Sequence, residues 1–145
     1  MAAKIPARRL FPAVDPRPSN WGRLSDTLGL KILSRRQGFV RMRLPWSRQV
    51  SQMAGFLHGG ALFTLADTAA AVGVLKMLPE GWSTVTGELK INFIGNIRSG
   101  AAVAEAQLLH WGRKTTVWEV KVCEEGKKRL LAVALGTFFL LPPRH

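Results

Sequence analysis

Apolar and polar positions change rhythm several times along the 145-residue chain, and each rhythm predicts an element. Residues 38–44, GFVRMRL, set Val40, Met42 and Leu44 against Arg41 and Arg43. A period of two is that of a strand with one face buried, and Pro45 ends it. Ahead of it, residues 22–28 predict a short helical turn and residues 28–33 a strand; residues 46–57 read as a loop. Residues 60–77 then form one apolar segment rich in Ala and Leu, stopped by Pro79 and Gly81. That is too long for a strand and predicts a helix. Being apolar almost all round, the helix should be covered on most sides.

Four strands follow. Residues 85–94 put Val85, Leu89, Ile91 and Phe93 on one face and Thr86, Glu88, Lys90 and Asn92 on the other. Residues 101–110 are small and apolar, and residues 115–123 alternate Trp118, Val120 and Val122 with Glu119 and Lys121. Residues 130–140 are an almost unbroken apolar run, the pattern of a central strand covered on both faces. The joins at residues 112–114 and 124–128 are short enough for hairpins. Strands, one long helix, then antiparallel strands predict an α+β fold, an antiparallel sheet wrapped around one long central helix.

Residues 1–20 hold Pro6, Pro12, Pro16 and Pro18 and predict an irregular, basic, partly mobile arm. Residues 21–145 read as a single domain, a size able to bury roughly two thirds of its unfolded surface. No apolar run follows the basic residues near Met1, so no signal peptide is expected. The apolar stretch 61–75 is too short to span a bilayer and contains Asp67. With Cys123 as its one cysteine, the chain suits a reducing compartment. A soluble, cytoplasmic protein is the expectation.

Net charge changes this picture. The formal value is +12, and residues 1–50 alone carry eleven Lys and Arg against two Asp and Glu. Such a surplus points to an anionic partner, nucleic acid or a phosphate-bearing small molecule, and charge does not choose between them.

The candidate chemistry sits in residues 58–67, HGGALFTLAD. A helix N-terminus offers unpaired N–H groups and the positive end of its dipole, and glycines let a ligand approach the backbone closely. Gly59 and Gly60 could form a main-chain oxyanion hole, or only a tight turn into the helix. Asp67 is a poor interior helix residue with no cation among its helical neighbours. It is either a general base or nucleophile, or is held by an arginine from elsewhere or by Thr64 or Thr68. His58 could be a base, but more simply caps the helix or organises the glycine turn. It lies nine residues before Asp67, roughly 13 Å of helical rise, and on the opposite side of the helix. If both ends serve one reaction, a second copy must supply one of them, as in a symmetric dimer with two shared sites. Gly112, Arg113 and Lys114 are either a phosphate-contacting turn or a solvated one. No metal-ligand spacing, P-loop or serine-hydrolase elbow is present.

HGGALFTLADTAAA resembles the signature of hot-dog-fold acyl-CoA thioesterases, most closely the phenylacetic-acid-degradation type, and HWGRKTTVWEV resembles the family's hairpin. The resemblance covers residues 25–141 and makes residues 21–145 a hot-dog thioesterase domain. It implies that the Gly59 N–H polarises a thioester carbonyl while Asp67 of the opposite subunit attacks the carbon or activates water. Gln52 stands where many relatives carry Asn, six residues before the histidine, to orient the reacting groups. The resemblance also implies Thr86 as a residue facing the site and Arg113 and Lys114 as contacts for the nucleotide end of coenzyme A. No metal or redox cofactor is expected; coenzyme A belongs to the substrate. A homodimer or homotetramer is expected, with no membrane and no nucleic-acid partner. Two alternatives stay open: a non-catalytic acyl-CoA binder whose basic arm touches nucleic acid, and a hot-dog dehydratase or hydratase, which would need a differently spaced histidine–acid pair.

Overall fold

A computed structural model describes residues 22–143; the proline-rich arm lies outside the described residues. In chain order the elements are helix α1 (Arg23–Leu28), strands β1 (Lys31–Arg36) and β2 (Phe39–Pro45) and a 3-10 turn (Arg48–Val50). Helix α2 (Gly59–Met77) follows, then β3 (Ser83–Phe93), β4 (Ala101–Trp111), β5 (Thr115–Glu124) and β6 (Leu130–Leu141). The strands form one antiparallel sheet in the order β1-β2-β4-β5-β6-β3, wrapped around α2 as the residue pattern implies.

The first strand starts three residues later than the pattern predicts. Leu28 closes α1 instead, because Gly29 adopts a left-handed conformation (φ 71°). Its N–H bonds the Asp26 carbonyl at 3.0 Å and that of Leu30 bonds the Ser25 carbonyl at 2.9 Å. This is a Schellman ending, open to glycine because it lacks a β-carbon.

Helix α2 is seated by shape. Trp118 is fully buried under it, and a β-carbon on Gly73 would stand 2.5 Å from Trp118 Cη2. Only glycine lets the helix approach that ring. The indole N–H donates to Thr116 Oγ1 at 3.1 Å, and Thr116 donates to the His110 carbonyl at 2.7 Å, so the buried polar groups are satisfied. At 19 residues α2 is long and apolar enough to cross a membrane by length and composition, which corrects the expectation that it is too short. Its Leu62, Leu65, Ala66, Ala69, Ala70, Val72 and Val74 are instead buried against the strands.

Two further departures matter. The residue pattern puts Val85 on one face of β3 with Leu89, Ile91 and Phe93, and Thr86 on the other. The pairing with β6 runs Thr86↔Phe138 and then Glu88↔Thr137, so Gly87 is a bulge. An extra residue reverses the alternation on one side of it. Thr86 therefore shares the helix-facing side with Leu89, Ile91 and Phe93, and Val85 faces out. In β6, Phe138 and Leu140 are buried, but Leu135 and Phe139 on the outer face are 48% and 46% exposed. The run is apolar on both faces, and one chain covers only the inner one.

The sheet's two edges also differ. β1 carries Lys31, Arg35 and Arg36, whereas β3 carries only Glu88 and Lys90 in 11 residues.

Candidate active site

The loop before α2 is tied down at several points. Ser51 and Leu57 form an isolated bridge, the His58 N–H reaches the Val50 carbonyl at 2.8 Å, and Leu57 pairs with Ile97 at 3.0 Å. Asn96 adds a side-chain bond to the Leu57 carbonyl at 2.8 Å. Leu57 is fully buried. The chain therefore enters the helix at a fixed angle, with His58 as its N-cap.

His58 Nδ1 accepts from the Gly60 N–H at 2.8 Å. That is the geometry of a capping side chain satisfying the second helical amide. The two glycines are thereby made unequal. Gly60 has its donor engaged, while the Gly59 N–H has no acceptor among the described residues. Of the two donors the sequence offers, one remains available to a ligand, at the positive end of a 19-residue helix.

Asp67 meets Thr86. Thr86 Oγ1 donates to Asp67 Oδ1 at 2.7 Å, and no cation lies within ion-pair distance of this carboxylate among the described residues. Neither an arginine bridge nor a contact with Thr64 holds it, since Thr64 donates to the Gly60 carbonyl at 2.8 Å. With Oδ1 engaged by one hydroxyl, Oδ2 keeps its lone pairs for another partner.

Residues 59, 63 and 67 recur every fourth position and so form one stripe of the helix. Both ends of the stripe meet β3: Gly59 at Phe93 and Asp67 at Thr86. Between them Phe63 is 37% exposed. The helix is covered on most sides, and this stripe is the side left open. Within one chain, the Gly59 amide and the Asp67 carboxylate are eight residues and about 12 Å apart, too far to act on one bond.

Gln52 sits in the neighbouring loop. Its side-chain oxygen accepts from the Ala54 N–H, which leaves its amide hydrogens as donors. Gly112 closes the β4–β5 hairpin, its N–H on the Thr115 carbonyl at 2.9 Å. Arg113 and Lys114 on that hairpin are exposed. Thr86, Phe138 and Thr116 lie in one row across β3, β6 and β5. The hairpin thus stands at the Asp67 end of the sheet, roughly 10 Å across from Thr86.

Two aromatic residues near this site, Phe63 and Phe93, carry no signature of their own. The four-residue spacing from Gly59 to Asp67 could have singled out Phe63; the contact of Phe93 with Gly59 depends on tertiary packing.

Comparison with known proteins adds to this geometry. Residues 54–130 match the thioesterase superfamily. The chain is 33% identical over 107 residues to a 1,4-dihydroxy-2-naphthoyl-CoA hydrolase of Listeria monocytogenes, covering 74% of this chain and 87% of that protein. A thioesterase of Staphylococcus aureus superposes with a TM-score of 0.80 at 29% identity, over 83% of this chain and all of the other. The PaaI protein from the phenylacetic acid degradation operon of E. coli does so at 0.76 and 27% identity, over 84% and 86%. The staphylococcal enzyme has been solved with a glutamine changed to alanine, and separately with a glutamate changed to alanine fifteen positions further on. The same interval separates Gln52 from Asp67.

Proposed function

Since this chain belongs to the thioesterase superfamily and is a thioester hydrolase of hot-dog fold, we propose that it cleaves acyl-CoA thioesters at a site shared between two copies. Each copy contributes one end of its α2 stripe. The Gly59 N–H of one donates to the thioester oxygen as charge develops there. Asp67 of the other attacks the carbonyl carbon, or takes a proton from the water that does. The C–S bond breaks and coenzyme A leaves as the thiol. Where water attacked, the acyl group leaves directly as the free acid; where Asp67 attacked, water hydrolyses the resulting anhydride to the free acid and the carboxylate. Thr86 fixes the carboxylate, and Gln52 has donors to offer the reacting groups. Arg113 and Lys114 suit the phosphates of the nucleotide. The step calls on no metal or redox group.

One observation carries this reading: Gly59 and Asp67 lie on one open stripe beside β3, an uncovered sheet edge of 11 residues. Long exposed edges pair with other chains unless guarded, and charge guards β1 but not β3. A two-fold axis beside Leu89 and Lys90 would set Thr86 of one copy opposite Phe93 of the other. Asp67 then lies beside the second copy's Gly59. The relatives' names support the thioester substrate, and the Gln-to-acid interval shared with the staphylococcal enzyme supports the roles of Gln52 and Asp67.

The test uses two variants that should each be inactive. Asp67→Ala removes the carboxylate. Gly59→Pro removes the amide hydrogen at a helix position that tolerates proline, after a residue whose ψ of 136° suits one. Co-refolded in equal amounts, they should recover about a quarter of wild-type thiol release, because half the dimers are mixed and each has one intact site. No recovery would place both groups in one chain's site and defeat the shared arrangement.

A further inference from the structure

We infer that Phe93 determines which acyl groups this enzyme accepts, its ring forming the apolar wall against which the acyl group lies while its carbonyl is held at Gly59. The inference rests on the reading of Gly59 as the donor. Phe93 ends β3 on the helix-facing side, paired with the buried Ala132. Its inward neighbours Leu89 and Ile91 pack against the core, and Phe93 does not. Instead 52% of it is exposed, which is unusual for an aromatic ring on the inner face of a sheet.

In the proposed dimer this edge faces the second copy's Thr86, so the ring opens onto the shared site, and its position against Gly59 gives it a role there. A β-carbon on Gly59 would stand 3.4 Å from Phe93 Cζ and 3.7 Å from Cε1 and Cε2. The tip of the ring therefore rests on the Gly59 α-carbon, one bond from the free amide. A carbonyl oxygen accepting from that N–H lies about 2.9 Å from the nitrogen. An acyl group directed to the ring's side of that oxygen lies against the ring in apolar contact. Phe63, one turn along the helix from Gly59, is a second exposed ring on the same helix stripe. Lys90, the nearest cation in sequence, donates to Asn92 Oδ1 at 2.6 Å, and Arg98 stacks on Phe56 at 4.1 Å. Such a wall favours acyl groups with an apolar, preferably flat, body next to the carbonyl, and gives nothing to an acetyl group.

Wild type, Phe93→Leu and Phe93→Ala are assayed for thiol release from acetyl-CoA, benzoyl-CoA and palmitoyl-CoA, with the mass of each protein in solution measured alongside. Phe93→Ala should lower kcat/KM for benzoyl-CoA about tenfold relative to that for acetyl-CoA, with Phe93→Leu between and the mass unchanged. An unchanged substrate ratio overturns the inference. So does an equal fall for all three substrates with a drop in mass, which would make Phe93 a subunit contact only. A wild type that releases no thiol from any of the three defeats the acyl-CoA reading itself, and this inference with it.

Discussion

Thr86 reaches Asp67 across the gap between strand and helix, its hydroxyl 2.7 Å from Oδ1, and it does so because Gly87 is bulged. Without that extra residue, Thr86 would face away from the helix and Val85 would face the carboxylate. A glycine in an edge strand thus orients a hydroxyl on the side where the chemistry is proposed.

The first prediction concerns this pair. Asp67→Asn should reduce kcat by about 10²–10⁴, the usual size of a lost acid–base group. Thr86→Val keeps the shape and removes the donor, so kcat should fall by a smaller factor, about tenfold, the effect of one hydrogen bond to a charged group. Thiol-release kinetics measure both; a Thr86→Val enzyme with wild-type kcat would leave the bond without a catalytic role.

Removing the bulge tests the register directly. Deletion of Gly87 should leave far-UV circular dichroism near that of wild type, because β3 is an edge strand. Thiol release should fall by about 100-fold, the scale of a misplaced catalytic group. Retained activity would mean that the facing of Thr86 is immaterial.

His58 separates capping from catalysis. His58→Ala should lower unfolding free energy by about 0.5–2 kcal/mol, the usual effect of losing an N-cap. Asparagine also caps helices well, so His58→Asn should recover most of the stability and the activity. If His58→Asn is stable but inactive, the imidazole itself takes part in the reaction.

Gly73→Ala should destabilise the fold without touching the site. Its β-carbon would meet Trp118 at 2.5 Å, an overpacking of about 1–3 kcal/mol, read as a lower urea midpoint at an unchanged m-value.

Acid should loosen the β4–β5–β6 end of the sheet. Hydrogen bonds from Lys127 and Arg129 hold Glu124 below the ordinary carboxylate range, and one from Arg43 does the same for Glu125. A carboxylate lowered on folding contributes stability above its unfolded-state pKa and loses it as pH falls through the folded value. Melting temperature should therefore decline from below about pH 4.5, less steeply in Glu125→Gln. Glu125 is exposed and Glu124 half-buried, so added salt should also weaken the effect, more through Glu125 than through Glu124.

Much of this was legible in the residues. The period-two stretches, the apolar run and the glycine turns gave the element order, because those signals reflect which side of each segment is buried. Asp67 and the HGG turn stood out because a carboxylate and paired glycines disagree with the helix around them. Three things were hidden. Gly29 reads as loop or strand until its left-handed φ is known. The Gly87 bulge reverses β3, and alternation alone cannot count a skipped residue. The contact of Phe93 with Gly59 joins positions 34 apart in sequence, and local pattern carries no information about it.

The unequal rims of the sheet set a limit on growth. Copies that join along β3 use up the one rim free of clustered cations, and what then faces outward on both flanks is Lys31, Arg35 and Arg36 of β1. Like charges meeting there would repel a third copy. On the proposed joining, association along the strand-pairing direction would stop after a single union, and the charge on β1 would keep the open sheet from building a fibril.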